Sequence, residues 1–284
     1  MQFSKFHGLG NDYIIINELN ETIIPEEKKA RLAMVLCQRK FFVGADGILY
    51  VCPPTRKDAE IRMRIFNVDG SEAEMCGNGI RCFAKYLYLK RIIQNPQMHV
   101  ETLAGIKVLT LTIENGKVNS IKVDMGVPNL LRNAIPMKGP NTEVINEDLK
   151  VGDQTFKVTC VSVGNPHCVI FEDDLESLDI KQGKEIEYHD VFPQRINVEY
   201  VKVVSRQEIV MRVWERGVGE TLACGTGACA ATIASILNDK TDRKVTVHLL
   251  GGNLDISWNE DDNHIYMTGT AEHVYDGDID ITNI

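Results

Sequence analysis

The sequence predicts an α/β (α+β) protein of two pseudo-symmetric domains, each a barrel-like, mostly antiparallel sheet wrapped around a central helix. Three observations predict it. A repeat runs through the chain, strand-like segments dominate both halves, and a helical pattern follows each of two matched cysteines.

The repeat consists of three segments that recur in order. Gly10-Asn11 followed by Ile14-Ile15-Ile16 returns as Gly164-Asn165 followed by Cys168-Val169-Ile170, 154 residues later. Gly47-Ile48-Leu49-Tyr50-Val51 returns as Asn197-Val198-Glu199-Tyr200-Val201, 150 residues later. Cys76-Gly77-Asn78-Gly79 returns as Cys224-Gly225-Thr226-Gly227, 148 residues later. An offset that drifts so little over three segments reads as two copies of one unit in 284 residues.

Alternating and β-branched runs read as strands over Val108 to Ile113, Ile121 to Met125, Thr155 to Val163, Val198 to Val204, Glu208 to Trp214, Lys244 to Leu250, Leu254 to Trp258 and His264 to Thr268. Helical patterns are few. Ile80, Phe83, Ala84 and Leu87 give one apolar stripe after Cys76. Ala228 to Leu237 is apolar or small nearly all round, and a helix without a polar face must be surrounded by protein. Hence one helix is expected inside a curved sheet in each half.

Bulk properties narrow the function. A length of 284 residues suffices for two domains with sizeable cores. A net charge of -9 argues against nonspecific nucleic-acid binding, which depends on neutralising phosphates. No run of about 18 apolar residues is present to span a membrane, and the start lacks a targeting pattern, so a cytoplasmic location is expected. The eight cysteines form no C-x-x-C pair and no zinc-ligand spacing, so most are expected to be small core residues.

Cys76 and Cys224 differ from the rest, because each precedes Gly-x-Gly at a helix start. Glycines there permit positive φ and close approach of a ligand. The helix start supplies unpaired N–H groups and partial positive charge, which hold a carboxylate and favour a thiolate. Moving a thiol from about 8.5 to about 7 needs roughly 2 kcal/mol, near the upper end of what a helix terminus supplies. Two such loops in a duplicated chain are expected to meet across a cleft, one sulfur on each face of a bound carbon. Taking a proton from one face and delivering one to the other inverts a stereocentre. Cysteine nucleophilic catalysis is the competing chemistry. His167, in Asn165-Pro166-His167, is the one histidine in a site-like motif. Glu215 stands nine residues before Cys224, as Asn67 stands nine before Cys76, while Arg216 beside it suits a carboxylate. Glu72 and Glu220 share the position four before each cysteine and read as structural.

Met75-Cys76-Gly77-Asn78-Gly79-Ile80-Arg81-Cys82 and Trp214 to Thr221 with Ala223-Cys224-Gly225-Thr226-Gly227 resemble the two signatures of the diaminopimelate epimerase family. Phe6 to Asp12, Gly164 to His167 and Ala271 to Asp278 are similar to further blocks of that family. The resemblance implies interconversion of LL- and meso-2,6-diaminopimelate, in lysine and peptidoglycan-precursor synthesis, without pyridoxal phosphate, metal or other cofactor. It implies the diaminopimelate epimerase-like fold, commonly a homodimer, with 1–122 plus 271–284 forming the half that carries Cys76 and 123–270 the half that carries Cys224. By the same resemblance Cys76 is the proton donor and Cys224 the proton acceptor from LL to meso. Asn11, Asn67, Asn165, Asn197 and Arg216 match substrate-binding positions. Gly77, Asn78, Gly225 and Thr226 match the loops that hold the reacting carboxylate, and His167 and Glu215 match polar groups beside the reacting centre, Glu215 also binding substrate. Two departures stand out: Phe42 replaces a usual Gly, and Gly47 cannot supply the Gln side chain that some members place against substrate.

The proline racemase group shares Cys-Gly-Thr-Gly but not the surroundings of Cys76 or Glu215-Arg216-Gly217. A cysteine-nucleophile hydrolase or transferase and a non-catalytic binder of dicarboxylic amino acids are rivals of other classes.

Overall fold

The computed structural model, which describes residues 1–282 and 284, carries one order of strand pairing twice. The chain divides into two units, Met1–Val123 with Gly269–Ile284, and Asp124–Thr268. In the first, the sheet runs Glu272–Asp278, Gln2–Gly8, Asn11–Asn17, Gly47–Cys52, Ile61–Asn67, Gln97–Thr102, Gly105–Glu114 and Lys117–Gly126. In the second it runs Val144–Val151, Gln154–Ser162, Pro166–Phe171, Asn197–Ser205, Glu208–Glu215, Lys244–Leu249, Gly252–Trp258 and Ile265–Gly269. Within each sheet the third and fourth strands are parallel, as are the fifth and sixth, and the other neighbours are antiparallel. The repeat in sequence is therefore a repeat in topology, with the first strand of the first sheet supplied by the far end of the chain.

Parallel neighbours need a crossover, and helices provide it. Helices α1 (Glu26–Leu36) and α2 (Gly77–Leu89) bridge the two parallel pairs of the first unit. Helices α3 (Gly183–Glu187) and α4 (Gly225–Leu237) do so in the second. Helix α2 packs against strands from both ends of its sheet, including Glu272–Asp278 and Gly105–Glu114, so the sheet curls round it. Helix α4 is held likewise, from Gln154–Ser162 to Gly252–Trp258. These two are the central helices expected from sequence. Ile80, Phe83, Ala84 and Leu87 of α2 are fully buried. Around α4 so are Ala228, Ala230, Ala231, Ile233 and Ala234, together with Thr232 and Ser235.

Helices α1 and α3 were not anticipated. The Pro25 cap of α1 makes no side-chain hydrogen bond, and its buried apolar face is only Leu32, Ala33 and Leu36. Helix α3 has five residues, too few for a period to show. Both pack on the outer face of their sheets. Leu32, Ala33 and Leu36 join Ile14, Ile16, Ile48 and Tyr50, whereas Ile186 joins Cys168, Ile170, Val198 and Tyr200. Strands covered on both faces read as continuous apolar runs, which explains Ile14-Ile15-Ile16.

Candidate active site

In the first unit, Cys76 caps α2 with extended backbone, φ −139° and ψ 123°, and its carbonyl accepts the Ile80 N–H at 2.9 Å. Around the sulfur lie three polar side chains. The Tyr13 hydroxyl is 2.9 Å from Cys76 Sγ and donates to Asn11 Oδ1 at 2.5 Å. Asn78 Nδ2 donates to the same oxygen at 3.3 Å, and Asn11 Nδ2 donates to Asp46 Oδ2 at 2.7 Å. Asp46 accepts only, so it fixes which end of the Asn11 amide faces the sulfur. Arg39, bonded to both Asp46 and Asp12, ties this cluster to the strand end, and Lys5 pairs with Asp12 at 2.7 Å. Asn67 sits in register with Gly47, which in turn is opposite Tyr13, and Asn67 Nδ2 donates to Ser71 Oγ at 3.0 Å.

In the second unit, Cys224 caps α4 at φ −118° and ψ 113°, and Sγ accepts the Gly227 N–H at 3.3 Å. Thr226 Oγ1 is 3.5 Å from the sulfur and accepts from Asn165 Nδ2 at 3.2 Å. Asn165 Oδ1 faces His167 Nε2 at 2.9 Å, and His167 Nδ1 faces Glu199 Oε1 at 2.7 Å. Both ring nitrogens thus meet oxygens, while His167 and Glu199 are 0% exposed. Asn197, opposite His167, donates to the Pro166 carbonyl at 2.8 Å and accepts the Arg216 N–H at 2.9 Å. The Arg216 guanidinium reaches the Gln194 carbonyl, and Glu215 accepts from Thr221 Oγ1 at 2.5 Å. Buried Glu187 holds this loop, accepting from Trp214 Nε1 at 2.8 Å and Gly217 N–H at 2.9 Å.

Two expectations need correction. The glycines at 77, 79, 225 and 227 do not adopt positive φ. At Gly227 the need is for space: a Cβ there would lie 2.8 Å from Glu199 Oε1 and 3.2 Å from Cys224 Sγ. The thiolate-favouring field is also outweighed at Cys224. Burial, then the Glu215 and Glu199 carboxylates, push its thiol well above the ordinary range, against the smaller opposing effects of Thr226 and the Gly227 N–H. The remaining cysteines are free, and Cys37, Cys82, Cys160, Cys168 and Cys229 are core residues. Glu72 and Glu220 are structural, each held by an arginine, Arg64 at 2.7 Å and Arg212 at 2.9 Å.

The sequence profile of diaminopimelate epimerases matches residues 3–131 and 159–274, which contain both cysteine loops. A diaminopimelate epimerase of Moorella thermoacetica is 50% identical over 279 residues, 98% of this chain and 99% of its own length. This chain belongs to the diaminopimelate epimerase family. Members of that family are isomerases. A second relative of the same name, from Pelotomaculum thermopropionicum, is 51% identical over 98% of both chains. Among solved structures, a hydroxyproline epimerase from Agrobacterium vitis superposes with a TM-score of 0.72 at 12% identity, covering 98% of this chain and 90% of its own. A Bacillus anthracis phenazine biosynthesis protein of the PhzF family gives 0.70 at 17%, over 99% of both chains. At such identities these two speak for the fold alone.

Within this member of the diaminopimelate epimerase family, Asn11, Gly77 and Asn78 gather about Cys76, and Asn165, His167, Gly225 and Thr226 about Cys224. Asn67 stands at the end of the Ile61–Asn67 strand, while Asn197 lies opposite His167 and holds the backbone of Arg216, the first residue of the turn after Glu208–Glu215. Sequence reasoning missed Glu199, Tyr13, Asp46 and Glu187. The repeat register carried a signal for two of them, since Tyr13 is the counterpart of His167 and Leu49 that of Glu199.

Proposed function

We propose that this protein interconverts LL- and meso-2,6-diaminopimelate by a two-base exchange of the α-proton, with Cys76 as donor and Cys224 as acceptor from LL to meso. The roles reverse in the other direction. One observation carries the reading: each unit caps its central helix with a cysteine, beside a matching Asn and a matching polar ring, in a chain of this family. The two units are the two epimerase halves, one for each sulfur.

The chemistry follows from the surroundings. The α-proton is weakly acidic because its loss puts charge on the adjacent carboxylate, and the first-turn N–H groups of Gly77, Asn78, Gly225 and Thr226 suit that charge. Glu215, which repels a Cys224 thiolate, suits the substrate ammonium. A cation bound there offsets the Glu215 part of the repulsion, so substrate itself favours ionisation of the sulfur. His167 and Glu199 fix Asn165, and Asn197 fixes the Arg216 backbone. Asn11, Asn67, Asn165, Asn197 and Arg216 bind substrate. The work is done without pyridoxal phosphate or metal, in the cytoplasm, by a homodimer, for lysine and peptidoglycan-precursor synthesis.

Chiral separation of the products formed from LL-diaminopimelate by purified protein tests the reading. Wild type should yield the meso isomer, and Cys76→Ala and Cys224→Ala should each lose at least about 10³-fold in rate, since each face needs its own proton-transfer group. A protein that kept its activity without either sulfur would not be a two-base epimerase.

A further inference from the structure

Tyr13 is bonded through its hydroxyl to the Cys76 sulfur. It sits where the second repeat has His167, and both side chains bond the Asn oxygen two residues earlier. The Tyr13 ring lies beside Gly47, its partner across the parallel strand pair. A Cβ at Gly47 would be 2.8 Å from the Phe66 carbonyl and 3.4 Å from Tyr13 Cε1, so this position has no side chain to offer a substrate. The chain gives that space to a phenol aimed at Cys76.

A phenol has one proton to donate. With Cys76 as a thiol, Tyr13 spends that proton on Asn11 Oδ1, at 2.5 Å, and its oxygen is free to accept from the sulfur at 2.9 Å. Once Cys76 has given up its proton, the sulfur can only accept, and the same O–H rotates to it. Asn11 Oδ1 keeps the Asn78 amide and gains an open lone pair. Tyr13 itself stays protonated, because burial and the neighbouring sulfur push its phenol well above the ordinary range.

We propose that Tyr13 is a positioning residue for Cys76, its hydroxyl stabilising the thiolate by donating to Sγ and releasing Asn11 Oδ1 toward substrate as it does so. No bond to carbon forms and no proton leaves the phenol. The proposal rests on the reading of Cys76 as a proton-transfer group, and its test is independent of turnover.

Alkylation of Cys76 by iodoacetamide, followed by peptide mass spectrometry across pH, reads thiolate population directly. Tyr13→Phe keeps the ring and removes the donor. Its Cys76 should alkylate about tenfold more slowly at neutral pH, the change expected from losing one hydrogen bond to a charged atom, and should match wild type at alkaline pH, once further base no longer raises either rate. Cys52, half-buried at the far end of the Gly47–Cys52 strand, is the internal control and should not change. Equal rates at every pH, or a constant ratio that persists at high pH, would overturn the proposal, since the first denies the bond and the second reports only access. If alkylation behaves as expected while Cys76→Ala still epimerises, the Tyr13–sulfur bond stands and the functional reading fails.

Discussion

At Gly227 the smallest side chain is already too large. The added carbon would meet Glu199 Oε1 at 2.8 Å, and Glu199 cannot retreat because it is fully buried and held by His167. The matching Gly79 is looser, with Leu49, Tyr13 and Cys76 at 3.4–3.5 Å, ordinary contact. Gly227→Ala should therefore cost on the order of 10²-fold in kcat, as expected when a reacting group moves by about 1 Å, whereas Gly79→Ala should cost much less. Steady-state rates of the two variants check this, and equal losses would contradict the account. At this scale the two cysteines and the asparagines beside them were legible, because Cys-Gly-x-Gly and Gly-Asn recur in the same order at nearly the same offset. Glu199 was not, since it is one carboxylate inside the apolar run Val198 to Val201. It is held there by the His167 bond, which no local pattern announces.

Among the elements, the C-terminal strand has a hold on its unit that can be titrated. Asp276 accepts from Ser4 Oγ at 2.5 Å and pairs with Lys90 at 2.9 Å, across the strand pair that joins the two ends of the chain. Those bonds, Ser4 first, lower its carboxyl to about 2. A depressed carboxyl stabilises the fold above its unfolded value near 4, and the contribution fades as pH falls from there toward 2. Asp276 is half exposed, so solvent screening keeps the effect small. Asp276→Asn should lower unfolding free energy by about 0.5–1 kcal/mol at pH 7, and the gap should close at about pH 2. Urea denaturation at both pH values measures it, and a gap that did not depend on pH would rule out the charge as its cause. The central helices and most strands of the second half were legible by period, since burial on one side of a curved sheet leaves alternation. Helix α1 was not, its stripe being short and its Pro25 cap silent. Nor were the strands before Asn67 set out, where Ile14-Ile15-Ile16 is buried on both faces and alternation is lost.

For the whole molecule, one pairing order written twice explains why the motifs recur at nearly constant offset. The offset drifts most in the crossover where α1 has 11 residues and α3 has five, whereas the helix that each cysteine caps keeps its length, 13 residues for both α2 and α4. The halves have diverged in polarity rather than in topology. Around Cys76 stand a phenol and a leucine, and around Cys224 an imidazole and a carboxylate. Such asymmetry suits the proposed exchange, in which one sulfur is a thiol while the other is ionised. Alternation of this kind leaves an isotopic signature. In deuterated water, each turnover should take the original proton with one sulfur and return a solvent deuteron from the other. Mass spectrometry of the separated isomers during the first few per cent of reaction from LL-diaminopimelate should find nearly all meso product carrying one carbon-bound deuterium and the remaining LL pool unlabelled. Meso product without label, or label appearing equally early in the LL pool, would contradict a two-sulfur exchange.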